Sequence, residues 1–142
     1  MEEPRLILGG LAVDNRGVVS FCNDFDFEGV KRFYVLENHA VGFIRAWHGH
    51  FHEAKYITVV SGTAVIGVVK LGEIVKPERF VMSALRPAVL YVPPGYANGS
   101  MALTEDTKII HFSTMSLKES MGDDVRLPPG AYDMSVWEVE QR

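Results

Sequence analysis

Gly42-Phe43-Ile44-Arg45-Ala46-Trp47-His48-Gly49-His50-Phe51-His52-Glu53-Ala54-Lys55, closed by Gly62, is the stretch on which the fold turns. Side chains on a strand alternate between its two faces, so His48 and His50 point one way and Trp47 the other. Two imidazoles are thereby set side by side, with Arg45 and Lys55 close in sequence. Such a face suits either a metal ion or a polar substrate, and the pair alone leaves both open.

Around this stretch, short β-branched and aromatic runs alternate with turn residues. Strands are expected at Leu6–Leu8, Gly17–Cys22, Lys31–Leu36, Val41–Trp47, Tyr56–Val60, Thr63–Lys70, Glu78–Met82, Ala88–Val92 and Lys108–Ser113. Ser61-Gly62 reads as a hairpin turn, and Asp14-Asn15-Arg16-Gly17 and Pro93-Pro94-Gly95 read as further turns. Leu117–Met121 suits one short turn of helix, and Ser135–Val139 a last edge strand. Many short strands at this spacing indicate a sandwich or barrel, and a jelly roll suits the length.

The chain has 142 residues, 47% of them apolar, which fits a single domain over 1–142 with a sizeable core. A net charge of −4 without a long basic run gives no nucleic-acid surface, although a local anion pocket stays possible. No apolar run approaches the ~20 residues of a membrane span. The acidic start Met1-Glu2-Glu3-Pro4 lacks a signal-peptide pattern, and Cys22 is the lone cysteine; both suit a cytoplasmic protein.

The spacing Gly42, His48-x-His50, Lys55, Gly62 resembles the first motif of the cupins, whose fold is an all-β double-stranded β-helix (the cupin jelly roll). In that motif Lys55 stands where an acidic metal ligand is usual. The second motif resembles Pro93-Pro94-Gly95-Tyr96-Ala97-Asn98, with Asn98 in place of a histidine. A lysine puts a cation where a divalent ion needs an anionic oxygen, and an amide is a weak transition-metal ligand. No metal and no other cofactor is therefore expected.

The metal-free members that the chain resembles are nucleotide-sugar epimerases and ketoisomerases. Asp14-Asn15-Arg16-Gly17 is similar to their N-terminal turn, and Lys31-Arg32-Phe33-Tyr34 to a strand they carry. Arg45 through His50, with Lys55 and Gly62, follows the sugar 3,4-ketoisomerases; Pro93 through Gly99 looks like a loop of the dTDP-4-dehydrorhamnose 3,5-epimerases. The resemblance implies isomerisation of a nucleotide-linked 4-keto-6-deoxy sugar and a homodimer. Its implied catalytic residues are His48 as base, His50 as proton carrier and Tyr34 as acid. Its implied substrate-binding residues are Arg16, Arg45, Lys55 and Asn98. Leu117 falls where many members have a tyrosine acid, and His39 and His111 are read as structural. Two other readings remain: a metal enzyme using His48 and His50 with His52 or Glu53, and a sugar-binding module without catalysis.

Overall fold

The computed structural model describes residues 2–142. Twelve strands, one short helix and two 3-10 turns form a jelly roll of two facing five-stranded sheets. The first sheet orders β1 (Arg5–Leu8), β9 (Ala88–Val92), β6 (Lys55–Ser61), β11 (Lys108–Ser113) and β4 (Arg32–Leu36). The second orders β12 (Val125–Arg126), β5 (Ile44–His50), β10 (Tyr96–Ala102), β7 (Thr63–Lys70) and β8 (Glu78–Ser83). A separate hairpin pairs β2 (Gly10–Asp14) with β3 (Gly17–Phe21).

Alternation explains how the interior is divided. On the first sheet the inward rows are Arg32-Tyr34-Leu36, Lys55-Ile57-Val59 and Ser113-His111-Ile109, held in register by antiparallel pairing. Each row runs from polar to apolar. Ile57, Val59 and Ile109 pack with Ile66, Val68, Met82 and Leu90 in a dry core between the sheets, with Leu36 against it. Burying each of these side chains contributes ~1.5–3 kcal/mol. The polar ends of the same rows share the opposite end of the sandwich with the histidines of β5.

β7 and β9 are buried along nearly their whole length because both sheets are covered outside as well. Trp47, Val65, Val69, Met101, Val136 and Trp137 form a second cluster on the outer face of the second sheet. Ala54, Tyr56, Val89 and Tyr91 form a third outside the first sheet, against Phe25 and Phe112. Covering both faces turns an alternating pattern into a continuous apolar run.

Several expected elements need correction. Ser135–Val139 is not a strand: Met134–Trp137 is a 3-10 turn, capped by the Asp133 side chain, that buries Val136 and Trp137 against Trp47. The strand expected at Val41–Trp47 begins at Ile44 and runs to His50. Gly62 does turn the chain, with φ of +72°, but β6 and β7 enter opposite sheets and do not form a paired hairpin. Strands β2, β10 and β12 were not expected. The helix α1 (Leu117–Met121) is present, closed by a capping box in which Ser116 and Glu119 satisfy each other's backbone N–H groups.

Candidate active site

The polar end of the sandwich opens into a cavity of about 410 Å³. The first sheet contributes Arg32, Tyr34 and His111; the second contributes Arg45, His48, Asn98 and Ser100; α1 and the segment after it contribute Leu117, Ser120, Met121, Asp124 and Arg126.

A bulge in β5 shapes one wall. Asn98 pairs with His48 and Ser100 with Arg45, so Ala46 and Trp47 together oppose Gly99. The extra residue resets the alternation and returns Arg45 to the face of His48, while Trp47 packs outward. Arg45 is exposed at the rim and has no carboxylate partner among the described residues. Asn98 lies across the strands from His48 and donates its side-chain N–H to the His48 carbonyl at 3.4 Å.

His48 projects into the cavity with its Nε2 hydrogen-bonded to Asp124 Oδ1. Asp124 in turn accepts from Arg126 Nε at 2.9 Å. Burial and the Lys55 charge pull the His48 pKa below the usual histidine value, against the raising effect of Asp124. The ring is thus neutral at neutral pH. With Nε2 directed at a carboxylate, its hydrogen belongs there, and Nδ1 keeps the lone pair. For the Asp124 carboxyl, burial raises the pKa but the hydrogen bonds from His48 and Arg126 outweigh it, and the group stays ionised.

His50 is placed behind His48, ring centroids 4.9 Å apart, and does not line the cavity. Its Nδ1 donates to the Asp123 carbonyl at 2.8 Å. Its Nε2 lies 2.6 Å from Glu53 Oε2, off the line of a hydrogen bond. Asp123 also accepts the backbone N–H groups of Phe51 (3.1 Å) and His52 (2.8 Å), tying the segment that carries Asp124 to the end of β5.

Glu53 is the hub of a buried charge cluster. Ser113 Oγ donates to its Oε1, Arg32 Nη2 reaches the same oxygen at 3.4 Å, and Lys55 Nζ lies 4.0 Å from Oε2. Burial pushes the Glu53 carboxyl up, but the His50 and Ser113 contacts and the Lys55 charge hold it at about 2. Burial pulls the Lys55 ammonium down to about 8, partly opposed by Glu53. Tyr34 is pushed up to about 12 by burial and by the Glu53 charge, so its phenol keeps its proton.

His48, Arg45, Tyr34 and Asn98 are thus brought to one cavity, whereas His50 and Lys55 sit in the charge cluster behind it. Arg16 is not brought there: it is 86% exposed on the β2–β3 turn and paired with Asp14. His111, read from sequence as structural, lines the cavity, and so does Leu117. Arg32 lies within the Lys31–Tyr34 strand motif without a role assigned to it, and Asp124 and Arg126 had no motif to mark them. Asp124 is 76 residues from its histidine, in a tail without a periodic pattern.

Side-chain atoms of His48, His50 and Asp124 lie within 4.8 Å of one another, the dimensions of a cation site. The donor set does not fit one well. Both His50 nitrogens already face protein acceptors, His48 and Asp124 are bonded to each other, and the Lys55 cation lies behind them.

No family model and no curated protein sequence matches this chain. Solved structures do resemble it. The rmlC epimerase of Mycobacterium tuberculosis superposes with a TM-score of 0.77 at 20% identity, covering 96% of this chain and 73% of that one. The 3'-monoepimerase ChmJ of Streptomyces bikiniensis, in complex with dTDP-quinovose, gives 0.75 at 20% identity, covering 89% and 70%. The 3,4-ketoisomerase QdtA of Thermoanaerobacterium thermosaccharolyticum, a double mutant in complex with TDP, gives 0.70 at 18% identity, covering 89% of each chain. These likenesses establish a common fold.

Proposed function

We propose that the protein isomerises a nucleotide-linked 4-keto-6-deoxy sugar by removing a proton beside the ketone, without a metal, and that His48 is the base. The observation that carries this is the neutral His48, oriented by Asp124, at the wall of a cavity whose opposite wall holds Tyr34 and His111. A base at neutral pH needs a lone pair directed at substrate and a counter-charge for the imidazolium that forms. Nδ1 supplies the first and Asp124 the second. Tyr34, kept protonated, is the acid, and its ring stands 5.2 Å from the Arg32 guanidinium and 5.8 Å from Lys55 Nζ. The Lys55 charge contributes a field that favours an enolate. Arg45, exposed at the rim, suits a diphosphate, and Asn98 and Ser100 suit sugar hydroxyls.

Support for the substrate class comes from the three folds above, whose names speak of epimerases, a ketoisomerase and dTDP or TDP ligands. A cavity of about 410 Å³ accommodates a hexose. Epimerisation and ketoisomerisation share the same first step, so both fall within this reading. His50 serves as the buried link between the Glu53 cluster and the segment bearing Asp124. Arg16 stays outside the assignment. A homodimer completes the proposal: Val13, Val18 and Val19 expose 75%, 59% and 63% of their surface on a two-stranded hairpin that a second copy would cover.

The test is hydrogen exchange. With dTDP-4-keto-6-deoxyglucose in deuterated water, deuterium is expected at C3 or C5, and His48→Asn is expected to abolish it. Unchanged exchange in that variant would refute the base, and tight binding with no exchange in the unmutated chain would mark a binding module. Stoichiometric zinc or iron in the purified protein would sink the metal-free reading.

A further inference from the structure

His111 has an unusual position for a buried imidazole. It lies at the middle of β11, 3% exposed, stacked on Tyr34 with ring centroids 4.8 Å apart and planes 13° from parallel. Among the described residues, neither ring nitrogen has a hydrogen-bond partner. Leaving a buried polar atom unpaired costs ~1–3 kcal/mol, so each such atom calls for a reason. The side chain lines the cavity, which supplies one: the missing partner belongs to what the cavity binds.

The surroundings define what this imidazole does. Lys55 on β6, His48 and Arg45 on β5 and Glu53 before β6 are the charged and titratable groups whose fields it feels. Burial and the Lys55 and Arg45 charges outweigh Glu53 and pull its pKa to about 3. The ring therefore stays neutral at any ordinary pH. A neutral imidazole carries one N–H and one lone pair. It is too weak a base to take a carbon-bound proton here. Its N–H, on a ring almost wholly removed from solvent, is a good donor to a developing oxyanion.

Placement gives that donor its target. His48 comes from the second sheet and His111 from the first, so a sugar ring between them meets the base on one side and the N–H on the other. We infer that His111 donates its ring N–H to the keto oxygen of the substrate and stabilises the enolate that His48 creates, a deepening that rests on the reading above. In this step His48 Nδ1 takes the proton from the carbon beside the ketone. The C–H electron pair becomes the new C=C bond, and the carbonyl π pair moves to oxygen. His111 holds that oxygen by a hydrogen bond and keeps its own proton. Return of the proton from His48 or solvent to carbon restores the neutral pair, and no co-reactant is consumed.

His111→Phe retains the ring volume and the stack on Tyr34 but removes the donor. It is expected to bind dTDP within about threefold of the unmutated chain and to exchange deuterium ~10²–10³-fold more slowly, with His111→Gln recovering roughly tenfold through its amide N–H. Exchange by H111F within about threefold of the unmutated rate overturns the assignment, and so does an H111Q rate no better than that of H111F. An unmutated chain that exchanges no nucleotide sugar overturns the isomerase reading itself, and the His111 role with it. A second measurement covers the case in which H111F fails to fold. In the His48→Asn chain saturated with the keto sugar, one His111 ring nitrogen resonance is expected to move in a nitrogen NMR spectrum. Unmoved resonances overturn the assignment.

Discussion

At the scale of single residues, the site separates two imidazoles by environment. His48 keeps a neutral ring beside an ionised carboxylate, whereas His111 keeps a neutral ring among cations. The first is a usable base and the second only a donor. The pH profile of exchange follows from these signs. The base works deprotonated, so activity falls as pH drops through the His48 pKa, which lies below the usual 6.5. Lys55 acts charged, so activity also falls as pH rises through about 8. Asp124 raises the His48 pKa; Asp124→Asn is therefore expected to move the acid limb to lower pH and to slow exchange roughly 10²-fold. Rate measurements from pH 4 to 10, a window of about six units, check this; an acid limb that stays in place or moves up would remove Asp124 from the role.

Elements bring these residues together, and the bulge of β5 does most to orient the wall. Gly99 sits opposite Ala46 and Trp47, where an added Cβ would lie 2.5 Å from Ala46 Cβ and 3.1 Å from the Arg45 carbonyl. Gly99→Ala is expected to destabilise the fold by ~1–3 kcal/mol in a denaturant titration and to raise KM for the nucleotide sugar, because Arg45 is displaced. A variant of unchanged stability and KM would show the bulge to be tolerant. The same place marks the limit of what the sequence reveals. Period-two alternation correctly puts His48 and His50 together and Trp47 opposite. It puts Arg45 on the wrong face, because a bulge is a pairing between two strands and leaves no pattern in one. β10 went unseen for a related reason: Tyr96–Ala102 is rich in small residues that fit close strand packing rather than in β-branched ones. Asp124 and His111 were equally hidden, since one joins its histidine through tertiary contact and the other is defined by a lack of partners.

For the whole molecule, the central strands of both sheets are covered on their outer faces, yet the β2–β3 hairpin remains bare on both sides. Its register pairs Val13 with Val18 and Ala12 with Val19, so successive apolar pairs alternate between faces. A two-stranded ribbon is marginal in water by itself. Val35 and Phe33 on β4, an edge strand of the first sheet, add further exposed apolar surface. A second copy laid along this edge and hairpin would remove both liabilities. Sedimentation at micromolar concentration is expected to give twice the chain mass. Placing aspartates at Val13 and Val19 puts a charge on each face of the ribbon, so the double variant is expected to sediment as a single chain while retaining the strand signal in circular dichroism. A single-chain mass for the unmutated protein across a hundredfold range of concentration, about 2.7 kcal/mol in association free energy, would instead leave the hairpin as a solvated arm.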